Sequence, residues 1–329
     1  MYQERKKLGF ETLVSKIRSN LGCLILVNLL FSVPLAASVA LAMVLNAYVI
    51  KIPVLALPLA IVFAGPFYSG VVVLARDYSR NIKNKKILST YIKAIKDNGL
   101  RFLLWGIIMY LGIVGCYFGF KLYSSMAALF GWIFYVVMFF LFVIAVFFLF
   151  LSFTVPLMTV SFELRQKDVY KNSALMTFGE IKNNFFATVG IIVFLAIAIL
   201  PFILISYLSS LMPLMLAKIL LIGYLSFIVI ALIPAPCALI ISHYLYPDMY
   251  AVITGESALE GKNSEPFPEA KQETQAEVLS DQNPKESEPD LEELRNGDGD
   301  EYIFYQGKMI KRKLLLSILE QKEEENDNE

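Results

Sequence analysis

The side chains able to do chemistry are few, and several of them fall in short clusters: Arg76 beside Asp77, Glu163 close to Arg165, and His243 shortly before Asp248. A carboxylate next to a guanidinium can hold a polar solute at the mouth of a cavity, and an imidazole can move a proton near neutral pH. If the elements carrying them pack around one axis, Arg76, Asp77, Glu163, Arg165 and His243 line a single cytoplasmic vestibule. The competing reading is a solvated edge, with long stems along apolar surface and charged heads in water. A second set is uncharged: Asn28, Ser69 and Thr154, with the backbone released at Pro66, Pro156 and Pro236. Each proline ring deletes a hydrogen bond to the carbonyl four residues earlier, at Val62, Ser152 and Leu232. Asn28 either faces a solute path or makes an interhelical hydrogen bond, a contact worth about 0.6 kcal/mol in membrane bundles.

Other chemistries lack a cast. His243 is the only histidine, and Cys23, Cys116 and Cys237 lie apart in apolar sequence, without the spacing of a disulfide framework or a thiolate metal site. There is no Walker loop, GxSxG elbow, HExxH, CxxC or dinucleotide-binding glycine pattern. No acidic or basic residue stands near the middle of a long apolar run, where such a group would mark a proton relay or ion-coupled transport. The expectation is a protein that is not an enzyme, with no cofactor, no metal and no nucleic-acid partner.

The elements that must position these residues are membrane helices. Hydrophobic residues make up 57% of the 329 and mean hydropathy is +0.60, far above a soluble domain. Six apolar stretches, roughly 21–46, 53–75, 102–120, 126–161, 184–209 and 217–245, each exceed or approach the 20 or so residues needed to cross hydrocarbon. Helices are required, because lipid offers no hydrogen bonds to open backbone and the runs lack the alternation of a barrel strand.

The expected fold class is therefore all-α, a polytopic transmembrane bundle of six spans with the lipid bilayer as its first partner. Lys and Arg crowd into alternate connections: Arg5 to Arg18 before the first span, Arg76 to Arg101 in the second link, Arg165 to Lys182 in the fourth. Lys51, Lys121 and Lys218 stand alone in the others. The positive-inside bias then puts both termini and the even links in the cytoplasm, in a multi-pass protein of the cell membrane. Splitting 122–162 into two spans would send the basic fourth link outside, against that bias. Cleavage after Ala40-Leu41-Ala42 as a signal peptide is disfavoured, since the apolar run continues to Ile50.

A short pattern recurs ahead of spans one, three and five: Ile17-Arg18-Ser19-Asn20, Ile95-Lys96-Asp97-Asn98 and Ile181-Lys182-Asn183-Asn184. Each follows an amphipathic segment, with Phe10, Leu13, Val14 and Ile17 in the first, Ile87, Leu88, Tyr91, Ile92 and Ile95 in the second, and Tyr170, Ala174, Phe178 and Ile181 in the third. This suggests three similar hairpins, each an interfacial helix, an Asn turn, a straight span and a proline-kinked return span. A simpler reading makes the Asn a helix cap and the prolines incidental. Gly115 and Gly119 fit the small-residue spacing that lets two helices approach.

Charge divides the chain into a cytoplasmic amphipathic segment at 1–20, a membrane domain at 21–246, an acidic linker at 247–300 and a tail at 301–329. Residues 1–245 carry 20 Lys and Arg against 7 Asp and Glu, leaving 9 against 22 for the remainder. The linker's composition predicts disorder. In the tail, Tyr302–Tyr305 and Lys308–Ile310 read as strands around a Gln306-Gly307 turn, followed by a helix over 311–320. Lys308, Lys311, Arg312 and Lys313 beside Leu314, Leu315 and Leu319 suggest docking on anionic lipid or on protein.

The order Asn28-Leu29-Leu30 then Pro34, the segment Gly65-Pro66-Phe67-Tyr68 before a basic link, and Lys96-Asp97-Asn98 resemble the YesL-like family of bacterial membrane proteins. Val155-Pro156-Leu157 followed by Ser173-Ala174-Leu175 and Asn184 is similar to that family's second half, so the resemblance covers roughly residues 15–245. The family has no assigned activity, and the resemblance implies no active residues. It does imply a neighbourhood of carbohydrate uptake and degradation, hence an accessory or scaffold protein associated with a sugar-transport system. The other expectation is a small-solute facilitator with a kinked-helix cavity.

Overall fold

The computed structural model describes residues 9–82, 86–208, 213–228, 232–254, 301–305 and 308–326. Arg5–Lys7, Lys83, Lys85, almost all of the acidic linker and the Gln306-Gly307 turn lie outside the described residues. Contacts divide the chain into two units, one of residues 1–160 with 166–249, the other of 161–165 with 250–329.

The first unit is an all-α bundle. Helix α1 (Phe10–Ser19) ends at Asn20, whose backbone (φ −110°, ψ 12°) leaves the helical region before α2 (Leu21–Leu45) begins. A π-helical turn, Asn46–Ile50, closes on Lys51 in the left-handed region (φ 56°). Then come α3 (Pro53–Ala56), α4 (Leu59–Ser79), α5 (Ile87–Phe130), α6 (Ile133–Ser161), α7 (Gln166–Gly179), α8 (Ile181–Leu208), α9 (Leu214–Phe227) and α10 (Pro234–Thr254). Among the described residues, five helical stretches are long and apolar enough to cross a membrane: Leu21–Ile50, Pro53–Ser79, Ile87–Phe130, Ile133–Ser161 and Ile181–Leu208. The sixth apolar stretch includes α9 and α10, and residues 229–231 between them lie outside the described residues. Outward faces carry exposed Leu129, Phe139, Phe140, Ile197 and Leu200, a surface suited to hydrocarbon.

Helix α5 departs from the expected segmentation. An interfacial helix, a turn at Asn98 and a span at 102–120 are one continuous helix from Ile87 to Phe130. The Asn98 side chain donates back to the Ala94 carbonyl (3.2 Å) inside the ladder, and no proline interrupts it. Only Gly131, at φ 101°, stops it, because L side chains rarely adopt that conformation. The fourth span consequently starts at Ile133 instead of 126.

The recurring Asn has one geometry in all three places. Asn20, Asn98 and Asn184 are buried, and each donates its amide to the carbonyl one helical turn back: Lys16 (2.9 Å), Ala94 (3.2 Å) and Glu180 (3.1 Å). Two turns before each Asn, Leu13, Tyr91 and Thr177 are buried too. The surrounding apolar faces are less uniform than their spacing suggests. Phe10, Val14, Leu88, Ile92, Phe178 and Ile181 are exposed, and the third segment buries Val169, Ser173, Met176 and Thr177.

The core of this unit joins α1, α2, α4, α5 and α10 through Leu13, Leu24, Phe31, Leu74, Tyr78, Tyr91 and Leu239. Where α4 crosses α5 the backbones themselves meet. A Cβ on Gly65 would lie 2.8 Å from the Phe102 carbonyl oxygen, and one on Gly106 would lie 2.9 Å from the Val62 Cα. Backbone cannot rotate away as a side chain can, so Gly65→Ala and Gly106→Ala are each expected to cost about 1–3 kcal/mol. Gly115, which has nothing within 4 Å of that position, is the neutral control, and thermal unfolding in detergent compares the three. The close approach thus falls at Gly65 and Gly106, while Gly119 packs its α-carbon face toward Leu141 of α6 and Gly115 opens on nothing.

The second unit is a small ββα module. Strand β1 (Tyr302–Tyr305) pairs antiparallel with β2 (Lys308–Lys311), Tyr302 facing Lys311 and Tyr305 facing Lys308, and α11 (Arg312–Asn326) follows directly. Ile310, Leu315 and Leu319 form its core, with Ile303, Tyr305 and Leu316 against them. Lys311 lies 5.7 Å from the centre of the Tyr302 ring, and Arg312 pairs with Glu301.

Candidate functional site

The proposed vestibule residues belong to two units. Arg76 and Asp77 belong to the last turn of α4 and are buried, with side chains 3% and 10% exposed. Arg76 donates to the Asp77 carboxylate from Nε (3.0 Å) and Nη2 (2.7 Å), and from Nη1 to the carbonyl of Val160 near the end of α6. A guanidinium so engaged ties two helix ends together, and its fork geometry is why Arg, not Lys, suits the position. Nearby, Arg80 stacks over the Tyr246 ring of α10 at 5.2 Å, and Lys16 of α1 donates to the Ser79 carbonyl. His243 is buried with its ring against Tyr244 (5.2 Å, near perpendicular). Glu163 and Arg165 belong to the other unit, where Glu163 pairs with Lys308 at 2.7 Å and Arg165 is exposed.

Asn28 has a defined task. It is fully buried on α2, and its Oδ1 accepts the backbone N–H of Ala235 at 2.7 Å. Ala235 is in the first turn of α10, whose opening reads Pro234-Ala235-Pro236-Cys237. A helix start leaves four backbone donors without intrahelical partners, and in a dry interior each must be satisfied. Here two are prolines and carry no N–H, Ala235 is capped by Asn28, and Cys237 bonds the Ile233 carbonyl (3.2 Å). The accounting closes without solvent. It also corrects the expectation for Pro236: the ring lies in the first turn of α10 and kinks no span, because at that position its missing donor costs nothing. Pro66 and Pro156 do lie inside α4 and α6.

The other polar candidates are likewise engaged. Ser69 Oγ donates to the Pro66 carbonyl (2.6 Å) and is 3.2 Å from that of Ala94, while Thr154 bonds the Phe150 carbonyl (3.2 Å). Beside Pro156 there is a cavity of about 10 Å³ bordered by Tyr68, Ser152 and Ser242, room for about one water. A groove of about 360 Å³ between α5 and α6 is lined by apolar side chains and Gly112, Gly115 and Cys116. Among the described residues no group of three or more His, Cys, Asp or Glu could hold a metal ion.

One cluster was not foreseen. At the α7–α8 junction, Asn183 donates to both Glu180 (3.1 Å) and Asp248 of α10. Burial, and then the Asp248 charge, push the Glu180 carboxyl above its usual range, and the Asn183 bond pulls it partly back. A carboxyl raised in the folded state adds stability below its ordinary pKa that is lost as pH rises through the folded value. Unfolding temperature should therefore rise as pH falls through the raised Glu180 value, and Glu180→Gln should flatten that slope. Equal slopes for wild type and variant across this window would contradict the assignment.

The fold and these contacts define the class: an all-α bundle with, among the described residues, five helices long and apolar enough to cross a membrane, whose interior polar groups hold helix ends together. No family model, no curated protein and no solved structure matches the chain.

Proposed function

We propose that this chain is a non-enzymatic accessory or scaffold protein of the bacterial cytoplasmic membrane, working beside a carbohydrate-transport system through its basic cytoplasmic links. The observation that carries the reading is the fate of Asn28: the most suggestive intramembrane polar side chain caps a helix of its own chain. Arg76 and Asp77 are spent in the same way on each other and on the Val160 carbonyl. The cavity beside Pro156, about 10 Å³, is far below the 300 Å³ or so of a small-molecule site, and the larger groove between α5 and α6, about 360 Å³, has no charged or amide side chain in its lining. Alternating basic links in the sequence support a cytoplasmic side for both termini, and the resemblance to YesL-like proteins supports the carbohydrate association. Purification from native membranes in mild detergent should recover a stable transporter partner, and repeated isolation of the protein alone would overturn the proposal.

The facilitator reading keeps one observation in its favour. The last apolar stretch carries Pro234 and Pro236 at the opening of α10, and proline-interrupted helices build the binding sites of many transporters. Such sites offer free helix-terminal donors to substrate, whereas the α10 donors are already engaged. Solute flux in liposomes would favour it over the scaffold.

A further inference from the structure

The ββα module pairs with a segment far from it in sequence. Phe162 bridges Met309 in parallel register, the Glu163 N–H donates to the Met309 carbonyl at 3.0 Å, and Lys308 Nζ meets Glu163 Oε2 at 2.7 Å. Ser161–Arg165 is the link between α6 and α7, so β2 has β1 on one edge and this link on the other. Met309 is buried, as is Phe162.

We infer that the C-terminal ββα module is a recognition unit whose β2 edge adds an extended segment carrying an acidic residue, and that in this chain it docks in cis on Phe162–Glu163 and covers Phe162. Backbone pairing supplies attraction that tolerates sequence, as in other strand-addition modes. The Lys308–Glu163 pair supplies register, since a shift by one residue along β2 would lose it. The module has the parts to hold its shape when undocked: a ladder, a helix and the Ile310, Leu315 and Leu319 core. The contact buries Phe162 and Met309 beside a partly exposed ion pair. Its consequence, that a partner adding a strand at Phe162–Glu163 must first displace the tail, rests on the accessory role proposed above. The docking itself does not.

The test uses the full chain with an N-terminal tag and a protease site inserted after Ser280. After cleavage in detergent at low salt, the fraction of tail fragment retained on the tagged membrane part is measured. Wild type should retain the fragment. Lys308→Glu should weaken retention about tenfold, and the swap Glu163→Lys with Lys308→Glu should restore most of it. Release of the wild-type fragment, or equal retention by wild type and Lys308→Glu, would overturn the inference. Co-expression with a differently tagged copy provides a further arm, because fragments retained from the other copy would replace docking in cis by exchange between copies. No transporter enters this measurement, so its failure leaves the accessory role standing, and a failed co-purification leaves the docking standing.

Discussion

Asp77→Ala is expected to be among the most damaging single substitutions in the chain. It strips the carboxylate from Arg76, whose side chain is 3% exposed, and leaves a guanidinium in a dry place with only part of its hydrogen bonding. Breaking one half of a buried ion pair costs about 3–5 kcal/mol. Total stability is commonly about 5–15 kcal/mol, so the variant should accumulate poorly or melt well below wild type. Replacing both partners, Arg76→Leu with Asp77→Leu, should recover much of the loss, since no uncompensated charge remains; the Val160 carbonyl would still lack its donor. Cys23, Cys116 and Cys237 are free, so a thiol-reactive dye reports unfolding directly. If Asp77→Ala melts with wild type, the pair is solvated and belongs to an open vestibule after all.

Asn28→Leu is expected to cost about 1–3 kcal/mol, the penalty for leaving the buried Ala235 N–H without an acceptor. Leucine keeps the volume, so the loss reads the hydrogen bond more than the packing; Asn28→Ala adds a cavity and should be worse. The effect should be larger than for a typical polar contact in a membrane bundle. Pro234 and Pro236 leave the start of α10 no other way to satisfy that donor. A Leu variant as stable as wild type would mean that another group accepts the Ala235 proton, and the cap would lose its role.

How much of this was legible beforehand can be judged residue by residue. The apolar stretches, the recurring Asn20, Asn98 and Asn184, and the tail strands around Gln306-Gly307 are visible in sequence because each depends on local requirements. Length against bilayer thickness, a side chain reaching back one turn, and alternation in a hairpin all act within a few residues. The stop of α5 at Gly131 was misplaced. Lys121 and Ser125 look like a loop in a hydropathy profile, yet nothing there interrupts the backbone ladder, and Ser125 simply bonds the Lys121 carbonyl (3.0 Å).

What the sequence by itself determined is the apolar surroundings this protein is built for and the approximate extent of its apolar helices. Only the tertiary structure decided which groups those helices use to hold one another: Asn28 on Ala235, Arg76 on Val160, Gly65 on the backbone at Phe102, and Glu163 on Met309. The physical reason is that a helix meant for hydrocarbon is apolar on every side. A soluble helix announces its packed face as a stripe, but here inward and outward faces are both Leu, Ile and Phe, and hydrophobicity stops encoding direction. The few polar contacts that do encode it join residues far apart in the chain, where no spacing rule reaches.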